Sequence, residues 1–321
     1  MRIRSLIATA LALTCTGLLA QTAGFPDRPL KVIVPFAAGG NVDIVTRIVA
    51  GGLSDALGQS VVVENKAGAN GVIGAETVAR SAPDGYTLFI ATAETMALNP
   101  FLMKSIPYDP LKDFAAVGMM DDFPFTLTVN PKLPVNNVAE FVAHAKANDG
   151  KFNFSSWGTG SIGQIAFEQF KQATGIRLEH IPFKGAAPAI MAVATGEVHA
   201  FMATLSVARP QAAGGRVKIL AITTAERDPT AADIPTLREQ GIDVVISGWH
   251  ILAAPAGTPA AVLNRLNAAL VGTIKRADIA EKLVGVGVRP ASSTIEEAQA
   301  MLRSENQRWR EVARKAGMKA E

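Results

Sequence analysis

Two glycine-rich turns are the features of this sequence best suited to chemistry. The first, PFAAGGNVD, spans residues 35–43, and the second, WGTGSIG, spans residues 157–163. Each follows a short apolar run and precedes apolar residues at helical spacing, so each is expected to join a strand to a helix. Backbone N–H groups and the positive helix end then point to one place, and glycine allows a close approach. Both turns therefore predict anion binding.

The second turn also matches a dinucleotide-binding pattern. Gly158, Gly160 and Gly163 form G-x-G-x-x-G after a predicted strand. Glu179 lies about 20 residues further on, where that pattern has an acidic residue. A nicotinamide-dependent oxidoreductase is therefore the alternative function, although an exported protein is not supplied with that cofactor.

Residues for hydrolysis or metal binding are not suitably arranged. Ser161 does not lie in a G-x-S-x-G motif. The histidines are scattered without metal-ligand spacing; they are His144, His180, His199 and His250. We therefore expect no enzyme, no cofactor and no metal site.

The elements that must position the turns form two units. In the first unit, strands are predicted at 30–34, 61–64 and 86–91, alternating with helices at 44–57 and 75–81. This alternation is typical of a mostly parallel sheet covered by helices.

The second unit is predicted over residues 123–248, with strands at 125–129, 152–156, 178–182 and 219–223 and helices at 138–147, 164–173 and 188–195. A strand at 251–254 is assigned back to the first unit, followed by helices at 259–276 and 294–316. The chain thus crosses twice, and we predict two α/β domains, 24–122 plus 249–321 and 123–248. They are joined by a two-crossing hinge around a ligand cleft.

Long stretches of the chain resemble one known family. PFAAGGNVDIVTRIVAGGLSDALGQSVVVENKAGANGVIGAETVARSAPDGYTLFIAT, NPFL, PYDPLKDFAAV, FKGAAPAI and WHILAAPAGTP are similar to the tripartite tricarboxylate transporter substrate-binding proteins, also called Bug proteins. The resemblance implies a two-lobed, type II-like periplasmic binding protein that captures a small organic carboxylate without a cofactor. Its expected partners are membrane transporter subunits, or it acts as a sensor.

The resemblance and the ends of the predicted strands together give a set of expected ligand-binding residues: Phe36, Ala38, Gly39, Gly40, Asp43, Thr92, Ala93, Thr95, Trp157, Gly158, Thr159, Gly160, Ser161, Gln164, Phe183, Lys184, Gly185, Ala203 and Thr204. Alternatives stay open for four of them. Asp43 either contacts the ligand or stabilises its helix by charge. Lys184 either attracts a carboxylate or is simply solvated, and Thr92 and Thr95 either donate to the ligand or bond locally.

Several positions depart from the family pattern. Glu94 stands where a small residue is usual, and its carboxylate would repel an anionic ligand unless it turns away or meets a cation. Gln164 occupies a position that is often histidine, and Ala203 and Thr204 replace a common Asp–Asn pair. Trp157 replaces a residue that is usually small.

Three aromatic residues are expected on loops at the cleft: Phe36, Trp157 and Phe183. Trp157 is the unusual one, and it predicts a preference for aromatic carboxylates through ring stacking. The alternative is that Trp157 packs as core beneath its own loop.

The N-terminus resembles a secretory signal peptide. Arg2 and Arg4 precede an apolar run over residues 6–19, and small residues follow at 20–23. Cys15, the single cysteine of the sequence, lies within the segment expected to be removed. We expect export to the periplasm, where the protein acts as a monomer.

Composition excludes two other classes of protein. Apolar residues make up 49% of the chain, which is too many for a disordered protein. Without the predicted signal peptide the chain has 29 basic and 28 acidic residues, a net charge of +1. That balance, without a basic block, argues against a nucleic-acid binder.

Overall fold

The computed structural model describes residues 24–315, with side chains to residue 311, so the predicted signal peptide lies outside the described residues. The strands within this range are β1 (Leu30–Val34), β2 (Val61–Asn65), β3 (Thr87–Ala91), β4 (Phe114–Val129), β5 (Asn153–Ser156), β6 (Glu179–Pro182), β7 (Ala200–Thr204), β8 (Lys218–Ile222), β9 (Ser247–Pro255) and β10 (Arg289–Pro290).

The described α-helices are α1 (Asn41–Leu57), α2 (Val72–Ala79), α3 (Asn99–Leu102), α4 (Val138–Ala147), α5 (Ile162–Thr174), α6 (Ala186–Thr195), α7 (Leu205–Ala213), α8 (Ala260–Ile274), α9 (Ala277–Gly285) and α10 (Ile295–Lys315). A π-helical turn, Glu94–Leu98, precedes α3, and short 3₁₀ segments lie at Ala69–Gly71, Pro229–Ala231 and Arg238–Gln240. None of these helices is both long and apolar enough to span a membrane.

The strands pair in the order β2-β1-β3-β9-β4-β7-β5-β6, with β8 and β10 also pairing with β4. β1 is parallel to β2 and β3, with Val32 opposite Val63 and Leu88. β5 is parallel to β6 and β7. Apolar runs such as LKVIV in β1 are buried because helices cover the sheet.

Two long strands carry the chain between the halves of the structure. β4 pairs with β9 from Phe114 to Pro124, and with β7 and β8 from Phe125 to Val129. We call the part on the β1–β3 side lobe 1 and the part built on β5–β8 lobe 2. The predicted domain boundaries, at residues 122/123 and 248/249, fall within β4 and β9, and this division stays a prediction.

Some elements differ from the sequence-based expectation. β4 begins at Phe114, well before the predicted strand at residue 125, and β7 and α7 were not predicted. The α7 segment, LSVARPQAA, contains Pro210, which argues against a helix interior. The helix predicted over 259–276 corresponds to α8, and α9, which was not predicted, begins after Arg276, whose backbone angles are extended.

The last helix supports the turn that follows β3. Asn306 of α10 donates a hydrogen bond from Nδ2 to the Met96 carbonyl within the π-helical turn, at 3.0 Å. Trp309, one turn further along, is fully buried. The C-terminal helix therefore supports the π-helical turn that begins at Glu94.

Candidate functional site

A cavity lies between the lobes, where the parallel strands end. Loops after β1, β3, β5, β6 and β7 reach it, as expected for an open α/β sheet. Its lining consists of Phe36, Ala37, Gly40, Asn41, Val42, Thr92, Ala93, Glu94, Phe123, Phe125, Trp157, Ile162, Gly185, Ala186, Thr204, Gly248, Trp249 and His250.

Two helices begin at the cavity wall without a side-chain cap. The N-cap of α1 is Gly40 and that of α6 is Gly185, and neither helix start receives a side-chain hydrogen bond. A Cβ added to Gly40 would lie 4.0 Å from the Ala186 Cβ, so the two helix starts approach each other across the cleft. First-turn N–H groups at such ends are free to bind an anion.

Two buried donors at the cavity have no partner within the described structure. They are Asn41 Nδ2 and Thr92 Oγ1, on side chains that are 5% and 3% exposed. Asn41 Oδ1 already accepts a hydrogen bond from Ser206 Oγ at 2.6 Å, which leaves the amide nitrogen free. A buried donor without a partner costs about 1–3 kcal/mol. These two groups are therefore positioned to bind a polar ligand atom.

A third helix, α5, also begins at the cavity, and a side chain of the protein already accepts a hydrogen bond from its first N–H group. Glu94 of lobe 1 is 4% exposed, and its Oε1 accepts hydrogen bonds from Ile162 N and Trp157 Nε1, both at 3.2 Å. Ser161 is the N-cap of α5 and accepts from Gln164 N. The second glycine-rich turn had predicted that the start of α5 binds a ligand anion. In the structure, Glu94 already occupies this helix start, so it is not free for a ligand.

Trp157 both lines the cavity and packs against the core. Its ring stacks on Phe125, with centroids 5.9 Å apart and an interplanar angle of 14°, and meets Phe201 edge-on. A Cβ on Gly163 would lie 2.3 Å from the Trp157 ring. Gly163 therefore makes room for the indole, which gives the last glycine of the G-x-G-x-x-G pattern a packing role.

A buried acid–imidazole pair lies at the second crossing. His250 Nδ1 is 2.9 Å from the Asp121 carboxylate, and both side chains are almost fully buried. Burial raises the pKa of Asp121, although His250 opposes this rise. Phe123 stacks on the imidazole with ring centroids 4.8 Å apart. His250 is the only cavity-lining residue of the described chain that can carry a positive charge.

The predicted site residues divide into two groups. Those that line the cavity are Phe36, Gly40, Thr92, Ala93, Trp157, Gly185 and Thr204. Those that lie outside its lining are Ala38, Gly39, Asp43, Thr95, Gly158, Thr159, Gly160, Ser161, Gln164, Phe183, Lys184 and Ala203.

The first turn explains part of the second group. Ala38 and Gly39 are exposed on its outer side. Asp43 turns back into the protein and accepts hydrogen bonds from Gly39 N, Arg47 Nε and Asn65 Nδ2, each at 3.0 Å. Of the two alternatives for Asp43, the structure therefore supports a local role at the start of its helix.

Within the second turn, polar groups bond to one another. Gln164 Oε1 accepts from Gly160 N at 2.7 Å, and Asn70 of lobe 1 donates to Gly160 O at 3.1 Å. Thr159 is exposed, and Gly158 accepts from Ser156 Oγ. This turn therefore contributes an interlobe contact and the Trp157 ring rather than free donors.

The remaining predicted residues face other neighbours. Thr95 Oγ1 bonds to the backbone of Thr92. Ala203 is fully buried in the apolar cluster beneath α6, and Phe183 packs against the same cluster. Lys184 is exposed.

The predicted set of ligand-binding residues left out several lining residues: Ala37, Asn41, Val42, Glu94, Phe123, Phe125, Ile162, Ala186, Gly248, Trp249 and His250. Asn41 directly follows the glycines of the first turn, and this position could have identified it from the sequence as a site residue. Phe123 and Trp249 lie at the predicted crossings, where a hinged cleft must be lined. No group of residues able to hold a metal ion occurs in the described part of the chain.

Comparison with known proteins agrees with this architecture. The protein-family model described as the tripartite tricarboxylate transporter family receptor matches residues 45–318 of the sequence. Protein BugT of Bordetella pertussis is 34% identical over 318 residues, covering 96% of this chain and 98% of that protein.

Two solved structures have the same fold. Rpa4515 of R. palustris with adipate is 32% identical, with a TM-score of 0.89 over 92% of this chain and all (100%) of that one. MatC of Rhodopseudomonas palustris with bound malate is 30% identical, with a TM-score of 0.83 over 90% of this chain and 99% of that one. The two-lobed, type II-like binding-protein fold is confirmed, and the oxidoreductase alternative is not supported. The chain belongs to the tripartite tricarboxylate transporter receptor family.

Proposed function

We propose that this protein is an extracytoplasmic receptor that binds a small organic carboxylate in the cavity between its lobes. The observation that carries the proposal is the pair of unpartnered donors, Asn41 Nδ2 and Thr92 Oγ1, beside the uncapped start of α1. A carboxylate oxygen accepts from such groups and interacts favourably with the helix end. The adipate and malate bound to the two related structures support the same ligand class.

The energetics do not require an arginine or lysine. A hydrogen bond to a charged group contributes about 1.5–3 kcal/mol, and a helix end about 0.3–1 kcal/mol. A micromolar ligand needs about 8 kcal/mol. Two side-chain donors, two helix starts and the apolar walls reach that range together. This arrangement binds and releases its ligand without chemistry, and we propose no enzymatic activity.

The ligand body faces aromatic walls. Phe36, Phe123, Trp157 and Trp249 all line the cavity. Flat rings stack favourably on such walls, by about 0.5–1.5 kcal/mol beyond burial. We therefore keep aromatic carboxylates as the proposed ligands.

The proposed setting is the periplasm, after removal of the signal peptide, where a monomer delivers its ligand to membrane transporter subunits. Export is supported by Arg2, Arg4 and the apolar run after them. N-terminal sequencing of periplasmic protein should begin between residues 21 and 24. Mature protein that retains residues 1–20 would contradict export.

The binding proposal is tested by a thermal-shift screen of aliphatic and aromatic carboxylates, followed by calorimetry. A ligand at 100 times its Kd adds about 2.7 kcal/mol to the free energy of unfolding, so a clear rise in Tm is expected. Mass spectrometry of molecules that co-purify with the protein gives an independent readout. A screen in which no carboxylate raises the Tm would contradict the proposal.

A further inference from the structure

Three helices begin at the cavity, and they differ in what meets their first N–H groups. α1 and α6 start at Gly40 and Gly185 without a side-chain cap. At α5 the first residue, Ile162, donates its N–H to Glu94 Oε1. One of the three candidate anion positions is therefore already filled by a carboxylate of the protein itself.

The surroundings of Glu94 are those of a bound anion. Its two donors, Ile162 N and Trp157 Nε1, are uncharged N–H groups of the opposite lobe. The side chain is 4% exposed and borders the cavity. A negative charge at the start of a 13-residue helix is stabilised by the helix dipole. Glu94 thus occupies the place that a ligand carboxylate would take at α5.

From this arrangement we infer that Glu94 is a specificity residue: it replaces one ligand carboxylate, so the cavity accepts monocarboxylates and rejects dicarboxylates of matching length. The inference rests on the proposed function and narrows its ligand class. A carboxylate held at α1 meets the free donors Asn41 Nδ2 and Thr92 Oγ1. A second carboxylate that reached toward α5 would find its donors taken and a like charge beside it, which is strongly unfavourable in a desolvated site.

The test compares ligand pairs that differ by one carboxylate: benzoate with terephthalate, and hexanoate with adipate. Calorimetry on the wild-type protein should show at least one of the two monocarboxylates binding at least a hundredfold more tightly than its dicarboxylate partner. Glu94→Ala frees the N–H groups at the start of α5. The ratio of the monocarboxylate affinity to the dicarboxylate affinity should therefore fall at least tenfold. Glu94→Gln removes the charge but keeps an oxygen for Ile162 N and Trp157 Nε1, so it should also lower this ratio while preserving the fold.

The matched control is Glu76→Gln, which removes an acid of lobe 1 that is paired with Arg80 on the surface. It should leave both affinities of each pair unchanged. Thermal unfolding of every variant establishes that it is folded, and Glu94→Gln provides the test if Glu94→Ala is not.

Three results would overturn the inference. They are a wild-type protein in which neither monocarboxylate binds at least a hundredfold more tightly than its dicarboxylate partner, Glu94 variants that keep the wild-type ratio of the two affinities, and a wild-type protein that binds neither monocarboxylate. The first two leave the proposed function intact. In the third case, the wider carboxylate screen separately decides whether the proposed function also fails.

Discussion

Trp157 of lobe 2 donates a hydrogen bond from its indole Nε1 to Glu94 Oε1 of lobe 1, across 3.2 Å. The sequence resemblance marked both positions as unusual, and the structure makes the two residues partners. The indole supplies the donor that a buried carboxylate needs, and the carboxylate satisfies the indole N–H. Each of the two residues therefore satisfies a polar group of the other.

The coupling between these two residues is measurable. Trp157→Phe keeps a ring against Phe125 but removes the N–H, and we expect the free energy of unfolding to fall by about 1.5–3 kcal/mol. A double-mutant cycle with Glu94→Ala, which removes the acceptor, followed by urea unfolding, should give a coupling energy of at least about 0.5 kcal/mol. Additive effects would mean that the contact contributes nothing to stability.

Substitution of Thr92 should weaken ligand binding without lowering the stability of the ligand-free protein. Thr92→Val removes a buried hydroxyl that has no partner in the described structure, so the ligand-free protein should lose no stability. Carboxylate affinity should fall about tenfold, the equivalent of about 1.4 kcal/mol. Thr95→Val is the matched control, because Thr95 Oγ1 bonds to the Thr92 backbone. That variant should lose about 1 kcal/mol of stability, and the reverse pattern would contradict the assignment.

Substitution of Gly40 tests whether the two lobes close on each other. A valine side chain there would point toward Ala186 of the other lobe and should hold the cleft open. We expect Gly40→Val to enlarge the radius of gyration in small-angle scattering and to weaken carboxylate binding at least tenfold. Gly51→Val in the same helix is the control, since a Cβ at Gly51 meets nothing within 4 Å. A wild-type radius for Gly40→Val would show that the lobes still close.

Substitution of Trp157 also tests the proposed preference for aromatic ligands. Trp157→Ala should weaken benzoate about tenfold, since ring stacking is worth about 0.5–1.5 kcal/mol. Hexanoate should be nearly unaffected, as measured by calorimetry. Equal losses for the two acids would assign Trp157 a structural role only.

Asp43 gives the protein an acid-sensitive contribution to stability. Burial acts to raise the pKa of Asp43, but hydrogen bonds from Arg47, Gly39 N–H and Asn65 outweigh it, so the pKa lies below its ordinary value of 3.8. A lowered pKa contributes stability above 3.8 that is lost as the pH falls through the folded-state pKa. Asp43→Asn should therefore reduce stability at pH 7 and flatten its decline below about pH 4, measured by urea unfolding. A variant whose free energy of unfolding falls as steeply at acid pH as that of the wild type would contradict this role.

The sequence by itself determined the family, the two-lobed α/β fold and the first glycine-rich turn, where we propose that an anion binds. These features are encoded locally. Apolar spacing and the left-handed Gly58 define α1, and Gly39 and Gly40 shape the turn before it. Local geometry of this kind depends on neighbouring residues, so it can be predicted from them.

Only the tertiary structure decided which glycine-rich turn is available to a ligand. Both turns look equivalent in sequence, but Glu94 lies 68 positions before Ile162 and reaches the start of α5 from the other lobe. Asn41 Nδ2 and Thr92 Oγ1 are free because no other part of the described chain supplies an acceptor. Such pairings depend on the strand order that brings the ends of β3 and β5 to one cleft. Residue spacing alone therefore cannot show whether a helix end is filled or free.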